Sequence, residues 1–257
     1  MRPIELSKGY EIHPDITITH EVGRGGLSIV YGLVDQLPDM PPEYKALKIL
    51  SPDSRFQLTP RLKSRFRLEQ WMTNRFIYKH LLTGGFGENK DFLYIQYNNL
   101  CSGDLKSLIR GNDEDYPNSE KLFIIICEIL FGVSFLHANG IIHRDLKPNN
   151  LLIFDGRIVV SDYGIARDVN KDITSETATS DIIGSRDYIA PEQRNNPRSA
   201  TVVSDIYSLG VIFYELLTKM LPIYNYEPVG KIAPEFSFFD DILPRMLARE
   251  PNKRFET

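Results

Sequence analysis

Cysteine is scarce in this sequence: only Cys101 and Cys127 occur among 257 residues, and no CxxC pair is present. A disulfide scaffold or a structural zinc site needs more cysteines or paired histidines, so both are disfavoured. Two isolated cysteines are typical of a reducing compartment. We therefore expect a cytoplasmic location, which for a chain from a virus or a parasite would be the host cytosol.

The sequence also lacks an excess of one charge and a long apolar run. Its formal net charge is −4 and its pI about 5.8, which gives no basic field for nucleic acid or an anionic membrane surface. The longest apolar run, residues 122–130, contains Glu128 and is shorter than the roughly 20 residues that span a bilayer. The first residues resemble neither a signal peptide nor a transit peptide. We expect no nucleic-acid partner and no membrane span.

The composition that remains is that of a globular protein, with 42% hydrophobic and 25% charged residues. Strand-like patterns dominate the first hundred residues, and one helix is predicted to begin at Thr59-Pro60. Helical patterns dominate the second half, with Ser119 as a predicted N-cap. Strands are predicted over residues 16–19, 28–34, 44–50, 92–96, 151–154 and 158–161, helices over 119–139, 204–217 and 238–247, and a loop over 165–189. The sequence predicts an α+β protein with a sheet-rich first lobe and a helical second lobe, changing near residues 98–103.

The strongest cluster of chemically capable side chains is HRDLKPNN at residues 143–150, followed by DYG at residues 162–164. Two loop aspartates and an asparagine supply a base and the oxygen ligands that Mg²⁺ prefers. These motifs resemble the catalytic loop and the magnesium-binding motif of eukaryotic-type protein kinases, the serine/threonine branch in particular. The resemblance implies that Asp145 accepts the substrate proton, that Lys147 neutralises the moving phosphoryl group, and that Asn150 and Asp162 hold the metal.

Two motifs in the first half extend the resemblance to the phosphate-binding side. The segment GRGGLSIV at residues 23–30 is similar to the glycine-rich loop that covers phosphates, with Ser28 in place of the third glycine. ALKI at residues 46–49 is similar to the motif whose lysine contacts the α- and β-phosphates. The family pattern then implies that Lys48 pairs with Glu69; Glu88 is a poorer partner because it follows three glycines in an apparent loop. The implied loop residues are Gly23, Gly25, Gly26, Ser28 and Val30.

The implied adenosine site follows from the alignment to these motifs. Tyr97 takes the gatekeeper position at the end of a strand, and the backbones of Asn98 and Leu100 meet the adenine edge. Asp104 takes the position that binds the ribose. Val30, Ala46 and Leu152 form the apolar walls.

Three further motifs have supporting roles in the family. GSRDYIAPE at residues 184–192 is similar to the end of the activation segment, and SDIYSLG at residues 204–210 to the start of the central helix. The resemblance implies that Asp205 braces the catalytic loop and that Arg254 pairs with Glu192. Arg144 suggests control by phosphorylation at Thr177, Thr179 or Ser180, with Asp181 as a partial mimic of phosphate that would permit basal activity.

The resemblance implies one kinase domain over residues 1–257, with lobes of about 1–98 and 104–257 joined by a hinge. Its cofactors would be ATP and Mg²⁺, with Mn²⁺ as a substitute, and Lys48, Asp145, Asn150 and Asp162 would converge on them. Its partner would be a protein with a serine or threonine acceptor, and autophosphorylation is expected. Two alternatives remain: a pseudokinase that binds without turnover, and a kinase of small molecules or lipids. The sequence predicts neither the substrate consensus nor the oligomeric state.

Overall fold

The chain divides into two compact units, residues 1–102 and residues 103–257. The computed structural model describes residues 4–13, 16–25, 27–36, 41–51, 59–88, 91–98, 100–163, 167–168, 173–174, 186–222 and 226–256. The predicted phosphorylation sites Thr177, Thr179 and Ser180, the predicted mimic Asp181, and Gly26 lie outside these residues.

The first unit is built on one antiparallel sheet of six strands. These are β1 (Glu11–His13), β2 (Ile16–Arg24), β3 (Ser28–Asp35), β4 (Glu43–Leu50), β5 (Gly84–Glu88) and β6 (Leu93–Tyr97), arranged in the order β1-β2-β3-β4-β6-β5. One helix, α1 (Pro60–Arg75), lies between β4 and β5 in the chain. Thr59 caps α1 through a 3.2 Å hydrogen bond from the Leu62 backbone N–H, with Pro60 in the first turn, which confirms the predicted helix start.

The register of the sheet separates a core face from the face that carries the predicted site. Residues paired across an antiparallel ladder share a face, and successive residues alternate between faces. On one face a buried cluster forms from Ile18, Ile29, Tyr31, Leu33, Leu47, Ile49 and Phe92. Val30 pairs with Lys48, and Lys48 pairs with Ile95, so these three side chains share the opposite face. Ala46 pairs with Tyr97 on that same face.

The glycine-rich stretch before β6 is a strand and not the loop that the sequence indicated. Residues Gly84–Glu88 pair with β6 in regular register, with Gly84 opposite Tyr97. A Cβ on Gly84 would lie 2.2 Å from the Gln96 carbonyl oxygen, so glycine permits this close approach of the two strands. The prediction of a loop was wrong because glycine has low strand propensity, whereas here its lack of a side chain allows the pairing.

The second unit contains two small sheets and most of the helices. Its strands are β7 (Gly103–Asp104), β8 (Ile141–Ile142), β9 (Leu151–Phe154), β10 (Arg157–Val160), β11 (Arg167–Asp168) and β12 (Ile173–Thr174). They form the sheets β10-β9-β7 and β12-β11-β8, so the predicted loop over 165–189 contains two short strands. The helices are α2 (Leu105–Arg110), α3 (Ser119–Ala138), α4 (Pro191–Asn195), α5 (Val202–Thr218), α6 (Val229–Ile232) and α7 (Ile242–Met246).

Helix α3 is the one helix, among the described residues, that is long and apolar enough to cross a membrane by length and composition alone. Core helices of globular domains have the same composition. Its Glu128 is buried and accepts a 2.8 Å hydrogen bond from the Ile158 backbone N–H of β10, so this carboxylate faces the unit's own sheet. The cap of α3 is Asn118, whose side chain accepts from the Lys121 N–H, and not the predicted Ser119.

Two other helix predictions need adjustment. Helix α5 begins two residues before the predicted start, because Thr201 and Ser204 form a reciprocal capping box. The predicted helix over 238–247 is instead a 3₁₀ segment, Pro234–Asp240, followed by the short α7. Apolar residues at helical spacing predict helical turns, but they do not determine whether these turns have the hydrogen-bond spacing of a 3₁₀-helix or of an α-helix.

Candidate active site

The first unit brings the predicted Lys48 and Glu69 together. Lys48 Nζ lies 2.6 Å from Glu69 Oε1, and the side chains are 14% and 4% exposed. Lys48 projects from β4, and Glu69 comes from the buried side of α1, so the sheet and the helix meet through this pair. The predicted ion pair is confirmed. Glu88 instead contacts the exposed Arg67 at 3.2 Å, in agreement with its rank as the poorer candidate.

The described part of the predicted phosphate loop comprises the end of β2, Gly25, Leu27 and the start of β3. Gly25 N–H donates to the Ser28 carbonyl at 2.9 Å, and the Leu27 carbonyl accepts from the Ser51 N–H at 3.1 Å. Gly23 pairs with Val30 in the ladder, so one member of the loop and one predicted apolar wall are neighbours. The phosphate contact of this loop stays a prediction.

Tyr97, Asn98 and Leu100 lie at the end of β6, where the sequence placed the adenine edge. The Asn98 N–H donates to the Thr83 carbonyl at 3.2 Å. The adenine contacts of Asn98 and Leu100 stay predictions. The Tyr97 hydroxyl donates to Glu69 Oε1 at 2.9 Å. This contact was not predicted, because the sequence alone does not show that the two residues, 28 positions apart, are neighbours.

In the second unit, Asp205 braces the catalytic loop, as the sequence predicted. This carboxylate at the start of α5 is fully buried and accepts from the backbone N–H of His143 at 2.8 Å and of Arg144 at 2.9 Å. His137 Nε2 is a third partner at 2.9 Å. Arg144 has φ 73°, a left-handed conformation that costs a non-glycine residue roughly 1–3 kcal/mol. The Asp205 hydrogen bonds stabilise this strained turn.

The strained turn presents Asp145 with two polar neighbours. Lys147 Nζ lies 2.7 Å from Asp145 Oδ2. Asn150 Nδ2 donates to the Asp145 carbonyl at 2.8 Å and to Oδ2 at 3.2 Å. One carboxylate oxygen of Asp145 is therefore held by a lysine and an amide. The second unit brings these three predicted residues into one cluster.

The two predicted metal ligands are linked through Ser161. The Asn150 carbonyl accepts from the Ser161 N–H at 2.9 Å and from its hydroxyl at 3.0 Å, and Asp162 follows directly. Asp162 has φ 63°, so it too occupies the left-handed region. The Tyr163 hydroxyl donates to the Val160 carbonyl at 2.7 Å, and its ring packs 5.9 Å from the His143 ring.

The donor atoms fit a hard divalent cation that shares its shell with phosphate and water. Both hydrogen bonds of the Asn150 amide use Nδ2, so Oδ1 is the amide atom suited to a cation beside the Asp162 carboxylate. The described residues contain no group of three or more His, Cys, Asp or Glu side chains placed for a metal. Mg²⁺ needs no such cage, because one or two protein oxygens suffice when phosphates supply others.

Asp104 and Leu152 are paired neighbours in the sheet of the second unit. Asp104 Oδ1 caps α2 by accepting from the Ser107 N–H at 2.7 Å, and Oδ2 accepts from Asn149 Nδ2 at 3.0 Å. Asp104, which is predicted to bind the ribose, therefore also stabilises the start of α2, and the sequence did not indicate this role. Its ribose contact stays a prediction.

Glu192 and Arg254 form the predicted pair. Two hydrogen bonds join them, Nη1 to Oε1 at 2.7 Å and Nη2 to Oε2 at 2.9 Å, and the Arg254 side chain is fully buried. Ser204 Oγ adds a third contact to Glu192 at 2.7 Å. Burial by itself would raise the pKa of Glu192, but the hydrogen bonds from Arg254 and Ser204 outweigh it and hold the pKa below the ordinary value of 4.5.

This lowered pKa predicts an acid-sensitive contribution to stability. The unfolded chain binds the Glu192 proton more readily than the folded chain, so the stabilisation is present above pH 4.5 and is lost as pH falls through the lowered pKa. We expect the free energy of unfolding to fall more between about pH 7 and about pH 3.5 in the wild type than in Glu192→Gln. Urea titrations at both values measure the difference. Equal losses in the two proteins would contradict the assignment.

A second buried network was not predicted. Glu215 of α5 accepts from the Tyr188 hydroxyl at 2.5 Å and from Lys106 Nζ of α2, and Lys106 also contacts the Tyr188 hydroxyl at 2.8 Å. Burial, followed by the hydrogen bond to Glu215, raises the pKa of Tyr188 well above its ordinary value. The sequence offered one indication of this network: Glu215 lies inside the apolar α5, and a buried glutamate needs a partner.

The chain is similar in sequence and in structure to known proteins. Residues 16–255 match the protein kinase domain family. The chain is 33% identical over 236 residues to a probable serine/threonine-protein kinase PknB of Lactococcus lactis, covering 91% of this chain and 36% of that protein. It is 32% identical over 267 residues to the serine/threonine-protein kinase PrkC of Bacillus subtilis, covering 97% and 40%. This chain belongs to the protein kinase family.

A third relative and a solved structure support the same family and fold. The serine/threonine-protein kinase PknL of Mycobacterium tuberculosis is 31% identical over 255 residues, covering 91% of this chain and 61% of that protein. The chain thus spans less than two thirds of these relatives. The crystal structure of the Mycobacterium tuberculosis PknI kinase domain, as a double mutant, has a TM-score of 0.72 and 21% identity, covering 98% of this chain and 95% of that one. This likeness confirms the predicted α+β kinase fold. Family membership implies use of ATP and a divalent cation.

Proposed function

We propose that this chain is a serine/threonine protein kinase domain that uses ATP and Mg²⁺ to phosphorylate protein hydroxyls. The observation that carries the proposal is the Asp145 cluster, in which Lys147 and Asn150 hold a carboxylate on a strained loop. Left-handed non-glycine residues such as Arg144 and Asp162 concentrate at functional sites, and both flank this cluster in sequence.

In the proposed reaction the chain's residues divide into two tasks. Lys48, positioned by Glu69, binds the α- and β-phosphates, and Asn150 with Asp162 holds the cation, which offsets the phosphate charge. Asp145 orients the acceptor hydroxyl and takes its proton, while Lys147 stabilises charge on the transferred group. Because little covalent chemistry falls on the protein, positioning and charge account for most of the catalysis.

Serine and threonine are the proposed acceptors, and three serine/threonine kinases are among the relatives. Lys147, two residues after Asp145, supports this choice by the family pattern. We also propose autophosphorylation and an intracellular site of action for this domain. The pseudokinase alternative has only Ser28 and Tyr163 in its favour, and Tyr163 keeps its aromatic ring packed beside His143.

Mass spectrometry after incubation with ATP and Mg²⁺ tests the proposal. The purified chain is mixed with a generic protein acceptor, and the expected result is phosphoserine and phosphothreonine on the acceptor or on the chain itself. Omission of the divalent cation should remove the signal. Turnover of ATP with no phosphorylated protein would favour a kinase of small molecules, and phosphotyrosine alone would overturn the acceptor assignment.

A further inference from the structure

Two side chains of the first unit donate to one carboxylate oxygen of Glu69. Glu69 Oε1 accepts hydrogen bonds from Lys48 Nζ at 2.6 Å and from the Tyr97 hydroxyl at 2.9 Å. Glu69 and Tyr97 are 3% and 6% exposed, so this hydrogen bond is shielded from water. A hydrogen bond to an ionised acceptor is about twice as strong as one between neutral groups.

The sheet register explains why Tyr97 can reach this point. Lys48 pairs with Ile95, and Tyr97 lies two residues further along β6 on the same face. Diagonal neighbours of this kind are roughly 7–8 Å apart, which a lysine and a tyrosine can both bridge toward a third group. The register therefore aims both side chains at Glu69, and a phenylalanine would have the same reach without the donor.

The next residue of α1 forms a second tie between the helix and the sheet. Gln70 is 5% exposed, and its Nε2 donates to the Tyr94 carbonyl at 2.9 Å and to the Gly87 carbonyl at 3.2 Å. Tyr94 belongs to β6 and Gly87 to β5. Consecutive residues of α1 are thus hydrogen-bonded to the two strands beyond β4, so the Tyr97 and Gln70 hydrogen bonds together hold that turn of the helix against the sheet.

We propose that Tyr97 is a positioning residue: its hydroxyl holds Glu69 against the sheet so that Lys48 is oriented toward the nucleotide phosphates. This inference rests on the proposed function for its kinetic consequence, but its structural part concerns the first unit alone. When the hydroxyl is present, its hydrogen bond links Glu69 to β6, and this link does not depend on the contact between Glu69 and Lys48. Without it, Glu69 is held less firmly and Lys48 samples more orientations.

The test uses Tyr97→Phe in the whole chain, which preserves the ring and removes only the hydroxyl. We expect kcat/KM for ATP to fall about tenfold, the size expected for one hydrogen bond to a charged group, with the KM for the protein acceptor unchanged. Hydrogen exchange of the peptide that contains residues 66–73 should become faster. In a Glu69→Ala background, adding Tyr97→Phe should produce no further loss, because the hydroxyl then has no carboxylate to position.

Tyr94→Phe is the matched control. Tyr94 lies on the same strand but on the opposite face, and its hydroxyl makes no hydrogen bond within the described part of the chain. It should leave both kinetics and exchange at wild-type values. Wild-type behaviour of Tyr97→Phe in both measurements would overturn the inference, as would a full additional loss in the Glu69→Ala background. If the wild type transfers no phosphate, the proposed function fails, and the exchange comparison still decides the role of Tyr97.

Discussion

Asp145→Asn is expected to lower the turnover number of phosphoryl transfer by about a hundredfold or more. The asparagine has the size of the aspartate, and its amide oxygen can still accept from Lys147 Nζ, now 2.7 Å from Oδ2. It cannot take a proton from the acceptor hydroxyl. Nucleotide affinity and melting temperature should therefore stay close to the wild-type values, and steady-state rates with saturating ATP measure the loss.

Asp155→Asn serves as the matched control for this prediction. It is the same substitution in the same unit, at a turn residue whose side chain is 75% exposed. Its φ of 48° is one that asparagine tolerates well. Full activity in Asp155→Asn with a large loss in Asp145→Asn supports the assigned base. If Asp145→Asn kept more than a tenth of the wild-type rate, proton acceptance by Asp145 would not be part of the reaction.

Arg254→Ala is expected to lower the free energy of unfolding of the second unit by about 3–5 kcal/mol. The substitution leaves the Glu192 carboxylate without its main partner. It also removes the donors to the Val203 carbonyl at 3.0 Å and to the Ala248 carbonyl at 2.7 Å. Buried acceptors without donors carry the full cost of their lost hydration. Urea unfolding followed by circular dichroism measures the change.

The adjacent lysine provides the control for this measurement. Lys253 pairs with Glu250 at 2.7 Å, but the two side chains are 64% and 61% exposed. Pairs of this kind contribute about 0–1 kcal/mol, so Lys253→Ala should change stability little. If Lys253→Ala and Arg254→Ala lowered the free energy of unfolding by similar amounts, the loss in Arg254→Ala could not be assigned to its pair with Glu192. Glu192→Gln combined with Arg254→Ala should cost less than the sum of the single changes, because the two residues share one contact.

Much of the fold and of the candidate site could be predicted from local sequence. Strand-like residue patterns over 28–34 and 44–50 predicted β3 and β4. In the structure every second side chain of these strands lies in the core. Thr59-Pro60 predicted the start of α1 by cap chemistry alone. The motifs at 143–150 and 162–164 predicted the family, because each residue type there has a defined chemical task.

Local preference did not decide other features of the fold. Asn118 replaces Ser119 as the cap of α3, and both residues are competent caps, so local preference could not separate them. Gly84–Glu88 forms a strand because β6 lies beside it, which outweighs the low strand propensity of glycine. The helix predicted over 238–247 is divided because the period of apolar residues does not distinguish 3₁₀ from α turns.

The sequence by itself determined the motifs that resemble the protein kinase family, among them those that contain Lys48 and Asp145, and the places of β2, β3, β4, β6, β9 and β10. These follow from residue type and spacing, which are local properties. Only the tertiary structure decided that the Tyr97 hydroxyl donates to Glu69 and that Lys106 and Tyr188 meet at Glu215. The physical reason is that a hydrogen bond depends on distance and direction in space, which arise from strand register and helix packing.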